Sequence, residues 1–222
     1  MKIIALDIET ANLDMQEERL SFSNPRGWKT SCICIYDACK KKGYYYVENP
    51  VKIKDKYEGV MDDHPVKIEI FNSLYNFEML KVHLKKWINE DYTLITHNGN
   101  SFDLPIISKS IESGGADVKH ELKLLKQIDT CDFLLQKTGY RFNLQNLIKG
   151  LLGSEESKLM QAAFAPRQWA MQNYLSVLGY CMGDSIYTWD VYHTVKQRDG
   201  TFTANVKHNR KEFAFEAKGI DW

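Results

Sequence analysis

Asp7 and Glu9 stand one residue apart in IIALDIETANL (residues 3–13), two carboxylates inside an otherwise apolar strand pattern. Side chains at i and i+2 of a strand leave the same face. The pair therefore either presents two hard oxygen ligands to one cation or marks a solvent-exposed strand end. Burying such charges without a cation or a partner is expensive. Asp103 follows in LITHNGNSFDLPII (94–107), where a strand gives way through the polar loop NGNS to a helix with Pro105 in its first turn. Alone, Asp103 reads as a helix-start acid favoured by the helix dipole. Asp184, in GYCMGDSIYTW (179–189), lies four residues after Tyr180, one helical turn away on the same face. That places a phenol beside a carboxylate in an apolar helix. Two carboxylates on one strand face would repel one another and raise their pKa values. Hard divalent ions, which prefer carboxylate, phosphate and water oxygens, remove that conflict.

The elements that must position these groups are legible in outline. Strands are expected at 2–9, 31–38 and 43–49, with the lysine-rich turn CKKKG between the last two, and VKIEIF (66–71) alternates like a short strand. Residues 72–90 follow a helical period with Leu74, Phe77, Leu80, His83, Leu84 and Trp87 on one side and Asn72 or Ser73 as N-cap. YTLITHN (92–98) is a compact apolar strand, and 102–113 a helix ended by Gly114-Gly115. Helices are expected at 119–138, 143–152 and 167–198, and the tail 199–222 carries alternating pieces, TFTANV and EFAFEA, that suggest a terminal hairpin. Strands first, then alternation, then helices predicts an α/β chain: one mixed sheet of five to six strands flanked by helices.

The bulk composition agrees with a single domain. The chain has 222 residues, 44% of them hydrophobic and 12% aromatic, enough for a sizeable core. Lys plus Arg equals Asp plus Glu at 29 each, so contact with a polyanion must come from local basic patches. Lys and Arg groups at 119–126 and 207–211 are candidates to track such a backbone, against the plainer reading of solvated surface. The five cysteines, Cys32, Cys34, Cys39, Cys131 and Cys181, are an odd number in a chain too large to need stapling and read as reduced, buried thiols. Cys32, Cys34 and Cys39 lack a CxxC pair and an obvious fourth ligand, which argues against zinc. The N-terminus runs straight into a strand, with no signal peptide and no membrane-length apolar run, so a cytoplasmic location is expected.

An acid-x-acid strand near the N-terminus, an Asp about a hundred residues on after Asn-x3-Phe, and Tyr-x3-Asp near the C-terminus occur here in that order. The ordered set resembles the DEDD superfamily of 3′–5′ exonucleases on an RNase H-like fold. It is most similar to the tyrosine variant (DEDDy), as in the proofreading domain of family B DNA polymerases. LDIET, NGNSFD and YCMGD look like its three motifs, and IDTCDFLL…YRFNLQNLIKGLLG (128–153) is similar to the segment between the second and third. The histidine variant carries its base one position earlier, where this chain has Gly179. The resemblance spans about residues 1–195, so that 1–198 would form the exonuclease domain and 199–222 a C-terminal extension; the loop 10–29 also lies outside the pattern.

The resemblance implies two divalent ions, Mg²⁺ or Mn²⁺, roughly 4 Å apart, one activating water and the other stabilising the leaving oxygen. Asp7 would bridge both ions, Glu9 and Asp184 would complete the ion that holds the water, and Asp103 would serve the second ion through water. Tyr180 would orient the attacking water rather than act as a base, since a phenol has an ordinary pKa near ~10. Phe102 and Asn98 would hold the terminal nucleotides, and the backbone amides of Thr10 and Ala11 would meet the terminal 3′ hydroxyl. Read from the residues alone, Asp129 and Asp132 flank the site in sequence order, and either could support it without being a ligand; His97 has a metal-ligand reading, but a strand-end histidine is more often structural. The implied activity is release of nucleoside monophosphates from single-stranded 3′ ends, DNA ahead of RNA, with replication or repair proteins as further partners. An exoribonuclease with the same chemistry and a non-catalytic single-strand-binding module are the competing readings.

Overall fold

The computed structural model describes residues 1–14, 16, 18–21, 27–47, 59–60, 69–70, 74–110, 118–153, 162–209 and 211–222. The first half runs β1 (Lys2–Thr10), β2 (Thr30–Asp37), β3 (Lys42–Val47), the paired two-residue strands β4 (Gly59–Val60) and β5 (Glu69–Ile70), and β6 (Leu74–Asn76). Then come α1 (Phe77–Asn89), β7 (Tyr92–Thr96), α2 (Asp103–Ser110), α3 (Lys119–Leu124), β8 (Lys126–Asp129) and α4 (Thr130–Thr138). The chain ends with α5 (Leu144–Leu152), α6 (Ala165–Ala170), α7 (Tyr174–Gln197), β9 (Phe202–His208) and β10 (Lys211–Ala217).

Six strands form one mixed sheet in the order β6-β3-β2-β1-β7-β8. β1, β2 and β3 make an antiparallel meander, while β7 runs parallel to β1, β8 to β7 and β6 to β3. With helices packed on both faces, this is the expected α/β, RNase H-like arrangement.

The alternation of β1 divides the core into two layers. Ile4, Leu6 and Ile8 pack with Leu80, Leu84 and Trp87 of α1 on one face, and Ile3 and Ala5 pack with Val177, Leu178 and Cys181 of α7 on the other. Each fully buried aliphatic side chain contributes about 2 kcal/mol. Asp7 and Glu9 continue the odd-numbered series, so the rule that buries Ile3 and Ala5 aims the two acids at the α7 side. A third cluster joins α5, α7 and the C-terminal hairpin through Leu147, Ile148, Val191, Phe202 and Val206.

Several boundaries differ from the sequence-based expectation. Leu74–Asn76 form an edge strand rather than the first turn of a helix, and α1 starts where the Asn76 side chain accepts from the Met79 amide at 3.2 Å. The expected N-caps Asn72 and Ser73, the helix stop at Gly114-Gly115 and most of VKIEIF lie outside the described residues. The single helix expected at 119–138 is two helices separated by β8, whose Asp129 side chain caps α4 by accepting from the Cys131 and Asp132 amides. The helix expected at 167–198 is broken at 171–173 between α6 and α7. The terminal hairpin is present as β9 and β10. Among the described residues no helix is long and apolar enough to cross a membrane.

Candidate active site

The site opens where β1 outruns its neighbour. The parallel pairing of β1 with β7 ends at Ala5–Ile95, while pairing with β2 continues through Asp7–Cys34 and Glu9–Cys32. On the open side, α2 fills the gap with its first residue: the Asp103 Oδ1 accepts from the Ile8 amide at 3.2 Å. An acid at a helix start thus ties the carboxyl end of β1 to the loop after β7. From the opposite layer, α7 brings Tyr180 and Asp184 to the same place. Asp7, Glu9, Asp103, Tyr180 and Asp184 together line one cavity of about 830 Å³.

Burial makes this cluster electrostatically expensive. Glu9, Asp103 and Asp184 are 8%, 5% and 8% exposed, and no carboxylate is kept so dry without a compensating group. Burial, reinforced by the Asp129 and Asp184 carboxylates, pushes the Asp103 carboxyl up to about 7. The Tyr180 phenol is driven far above its ordinary range by burial first, then by Asp184, Glu9 and Asp7, so it stays protonated at any working pH. The four carboxyl side chains that line this cavity are oxygen donors of the kind that hard divalent cations prefer.

Three of the four residues expected to hold the nucleic acid, Thr10, Asn98 and Phe102, line this cavity as well. Ala11 does not: its amide donates to the Lys29 carbonyl at 2.8 Å, because the strand bulges between Glu9 and Thr10 and the next amide turns into the 10–29 loop. The basic stretch 119–126 is also absent from the lining, and Lys126 there pairs with Asp91 at 2.7 Å, whereas Lys207 does reach the cavity.

The loop between β7 and α2 is held by Asp129, which accepts from the Asn98 amide at 2.9 Å and the Asn100 amide at 2.8 Å. Asp132 accepts from the Asn100 side chain at 3.0 Å. A side chain at position 99 would meet Thr96 at 2.4 Å, so the turn requires Gly99. His97 is a scaffold residue, its ring nitrogens engaged by Thr130 at 2.8 Å and the Phe142 carbonyl at 3.1 Å.

Among the cavity residues that escaped the sequence reading in this role are Asn12, Trp28, Arg141 and Asn143. Trp28 meets Phe102 edge-to-face, with ring centroids 5.2 Å apart. Asn12 fixes that loop by donating to the Gly27 carbonyl at 3.0 Å and accepting from the Lys29 amide at 2.7 Å. Arg141 donates to the Asn98 side-chain oxygen. None of these carries a periodic signal; their positions depend on loops crossing between elements.

The cysteines group differently from their sequence spacing. Cys32, Cys34 and Cys181 have sulfurs within 4.8 Å of one another, and Cys39 is exposed. Their thiols serve as interlayer donors: Cys181 to the Asp7 carbonyl at 3.4 Å and Cys34 to the Leu178 carbonyl at 3.7 Å. All five are free thiols.

No curated protein matches the chain. Residues 1–142 match the family described as DNA polymerase family B, exonuclease domain. The match takes in β1 with Asp7 and Glu9 and the β7–α2 junction with Asp103, and it ends before Tyr180, Asp184 and the hairpin. With that match over more than half of its length, the chain belongs to the exonuclease-domain family of family B DNA polymerases, whose members are 3′–5′ exonuclease domains that act on nucleic acid with divalent metals.

Proposed function

We propose that this protein is a DEDDy-type 3′–5′ exonuclease that hydrolyses the terminal phosphodiester of single-stranded DNA and releases nucleoside monophosphates. The observation that carries the reading is the convergence of Asp7, Glu9, Asp103, Asp184 and Tyr180, from three distant stretches of chain, on one cavity. Asp7, Glu9, Asp103 and Asp184 are the residues that would hold Mg²⁺ or Mn²⁺. Those ions, when bound, supply positive charge that offsets the negative charge developing on the phosphoryl and leaving oxygens.

The chain's own groups do the positioning. Phe102, braced by Trp28, offers an aromatic face to the terminal base, and Asn98, held by Arg141, offers a polar contact to the same end. The protonated Tyr180 hydroxyl donates to Asp184, which leaves an oxygen lone pair to accept a hydrogen bond from the attacking water and fix that water's direction. Such orientation lowers the barrier without any proton leaving the phenol.

The deciding experiment follows 5′-labelled oligomers, matched DNA and RNA, with Mg²⁺, Mn²⁺ or chelator. A DNA ladder shortening from the 3′ end only with metal is expected. Faster loss of RNA would make the enzyme an exoribonuclease, and binding without cleavage would make it a non-catalytic module. Tyr180→Phe should lower kcat by about tenfold to a hundredfold while metal-induced thermal stabilisation persists. An unchanged kcat would remove Tyr180 from the proposed machinery.

A further inference from the structure

The C-terminal hairpin, β9 with β10, lies outside the family match, yet it reaches the cavity through Lys207. Its placement is rigid. Phe202, Ala204 and Val206 are buried in the cluster shared with α5 and α7. The alternate residues Thr203, Asn205 and Lys207 turn the other way and are exposed. At Gly150 of α5 a Cβ would stand 2.0 Å from the Thr203 carbonyl oxygen and 2.8 Å from the Ala204 Cα, so helix and strand are in backbone contact there. Asn146 adds a hydrogen bond from its side-chain amide to the Asn205 carbonyl at 2.8 Å. The ribbon's base closes through the Ile220 amide and the Gly200 carbonyl at 3.1 Å.

Charge gives this anchoring a purpose. The carboxylates of one wall suit metal ions and the phosphate being cleaved, but a strand carries further phosphates that those acids would repel. Among the described residues, Arg141 and Lys207 are the lining side chains with a permanent positive charge, and Arg141 is engaged with Asn98. Lys207 is exposed on the outward face of the ribbon; opposite it, Glu212 accepts from the Asn205 side-chain amide at 3.2 Å.

We infer that the hairpin is a wall of the substrate cleft and that Lys207 holds a phosphate on the 5′ side of the nucleotide being removed. This rests on the reading of the cavity as the site of a nucleic-acid 3′ end. The favoured substrate is then a single strand several nucleotides long, not a dinucleotide.

The test is binding of a fluorescein-labelled dT8 in chelator, by anisotropy over a NaCl series, for the wild type, Lys207→Ala, Lys207→Arg and Lys207→Glu. One lost phosphate contact on a single strand lowers the magnitude of the log K against log salt slope by about 0.7 and weakens low-salt binding by about fivefold. Lys207→Arg should restore the slope, Lys207→Glu should bind weaker still, and dT2 should bind equally to all four. A slope unchanged in Lys207→Ala, or no binding of dT8 to the wild type, overturns the inference. Hydrolysis assays on the same proteins with Mg²⁺ separate the two readings. Active enzyme with an unchanged slope removes only the role of Lys207, whereas a changed slope without any hydrolysis removes only the nuclease reading.

Discussion

Asp7→Asn or Asp184→Asn is expected to reduce nucleotide release by at least about a thousandfold, some 4 kcal/mol in the barrier, while leaving the protein folded. The two substitutions test the same proposal from opposite layers of the fold. Asp7 belongs to β1, whose odd-numbered neighbours Ile3 and Ala5 are core, and Asp184 to α7, fifteen of whose residues are buried. Replacing either carboxylate by an amide preserves shape and one acceptor oxygen and removes one negative charge from the cavity. The fold should therefore tolerate the change, and the metal-free protein should unfold at the same temperature or higher. Loss of activity with retained thermal stability assigns the residue to chemistry. Activity within about tenfold of wild type for either variant would separate that carboxylate from catalysis.

What the sequence revealed of this site follows from where the information lies. The strand period of β1 was readable because Ile3, Ala5, Ile4, Leu6 and Ile8 commit both faces, which left Asp7 and Glu9 as conspicuous exceptions on one of them. The pairing of Tyr180 with Asp184 was readable because helical spacing alone places them on one face. The turn joining β2 to β3 and the terminal hairpin followed from apolar and alternating runs bounded by turns. β8 was missed because it is only four residues long, two of them exposed, and embedded in a stretch whose apolar spacing continues the helical period on both sides. The first turn of α1 was misplaced because Leu74 fits the helical pattern, and only pairing with β3 claims it for the sheet. Trp28, Asn12 and Arg141 had no local signal at all. They enter the cavity through long-range bonds such as the Lys29 amide to Asn12 and Arg141 to Asn98, and a loop's destination is set by partners that sequence spacing does not name.

Metal-free protein should lose stability as pH rises from about 4 to about 7, and Asp103→Asn should abolish much of that loss. Folding raises the Asp103 carboxyl from 3.8 to about 7, burial being the first cause and Asp129 and Asp184 the next, which corresponds to about 4 kcal/mol in favour of the neutral form. In that window the native state keeps a proton that the unfolded chain has released, so the stability slope against pH is negative. The contribution is whole below about 4 and gone above about 7. An asparagine at 103 is neutral throughout and can still accept from the Ile8 amide, so the variant should be more stable than wild type at pH 8 in chelator and nearly equal to it at pH 4.5. Mg²⁺ or Mn²⁺ at pH 8 should then stabilise wild type more than the variant, because only wild type has the Asp103 charge left to neutralise. Urea unfolding at the two pH values, with chelator and with metal, reads all four quantities. A variant that is less stable than wild type at pH 8 without metal would mean that the Asp103 charge is already compensated by the protein itself, and the argument that this cavity requires a cation would lose its footing.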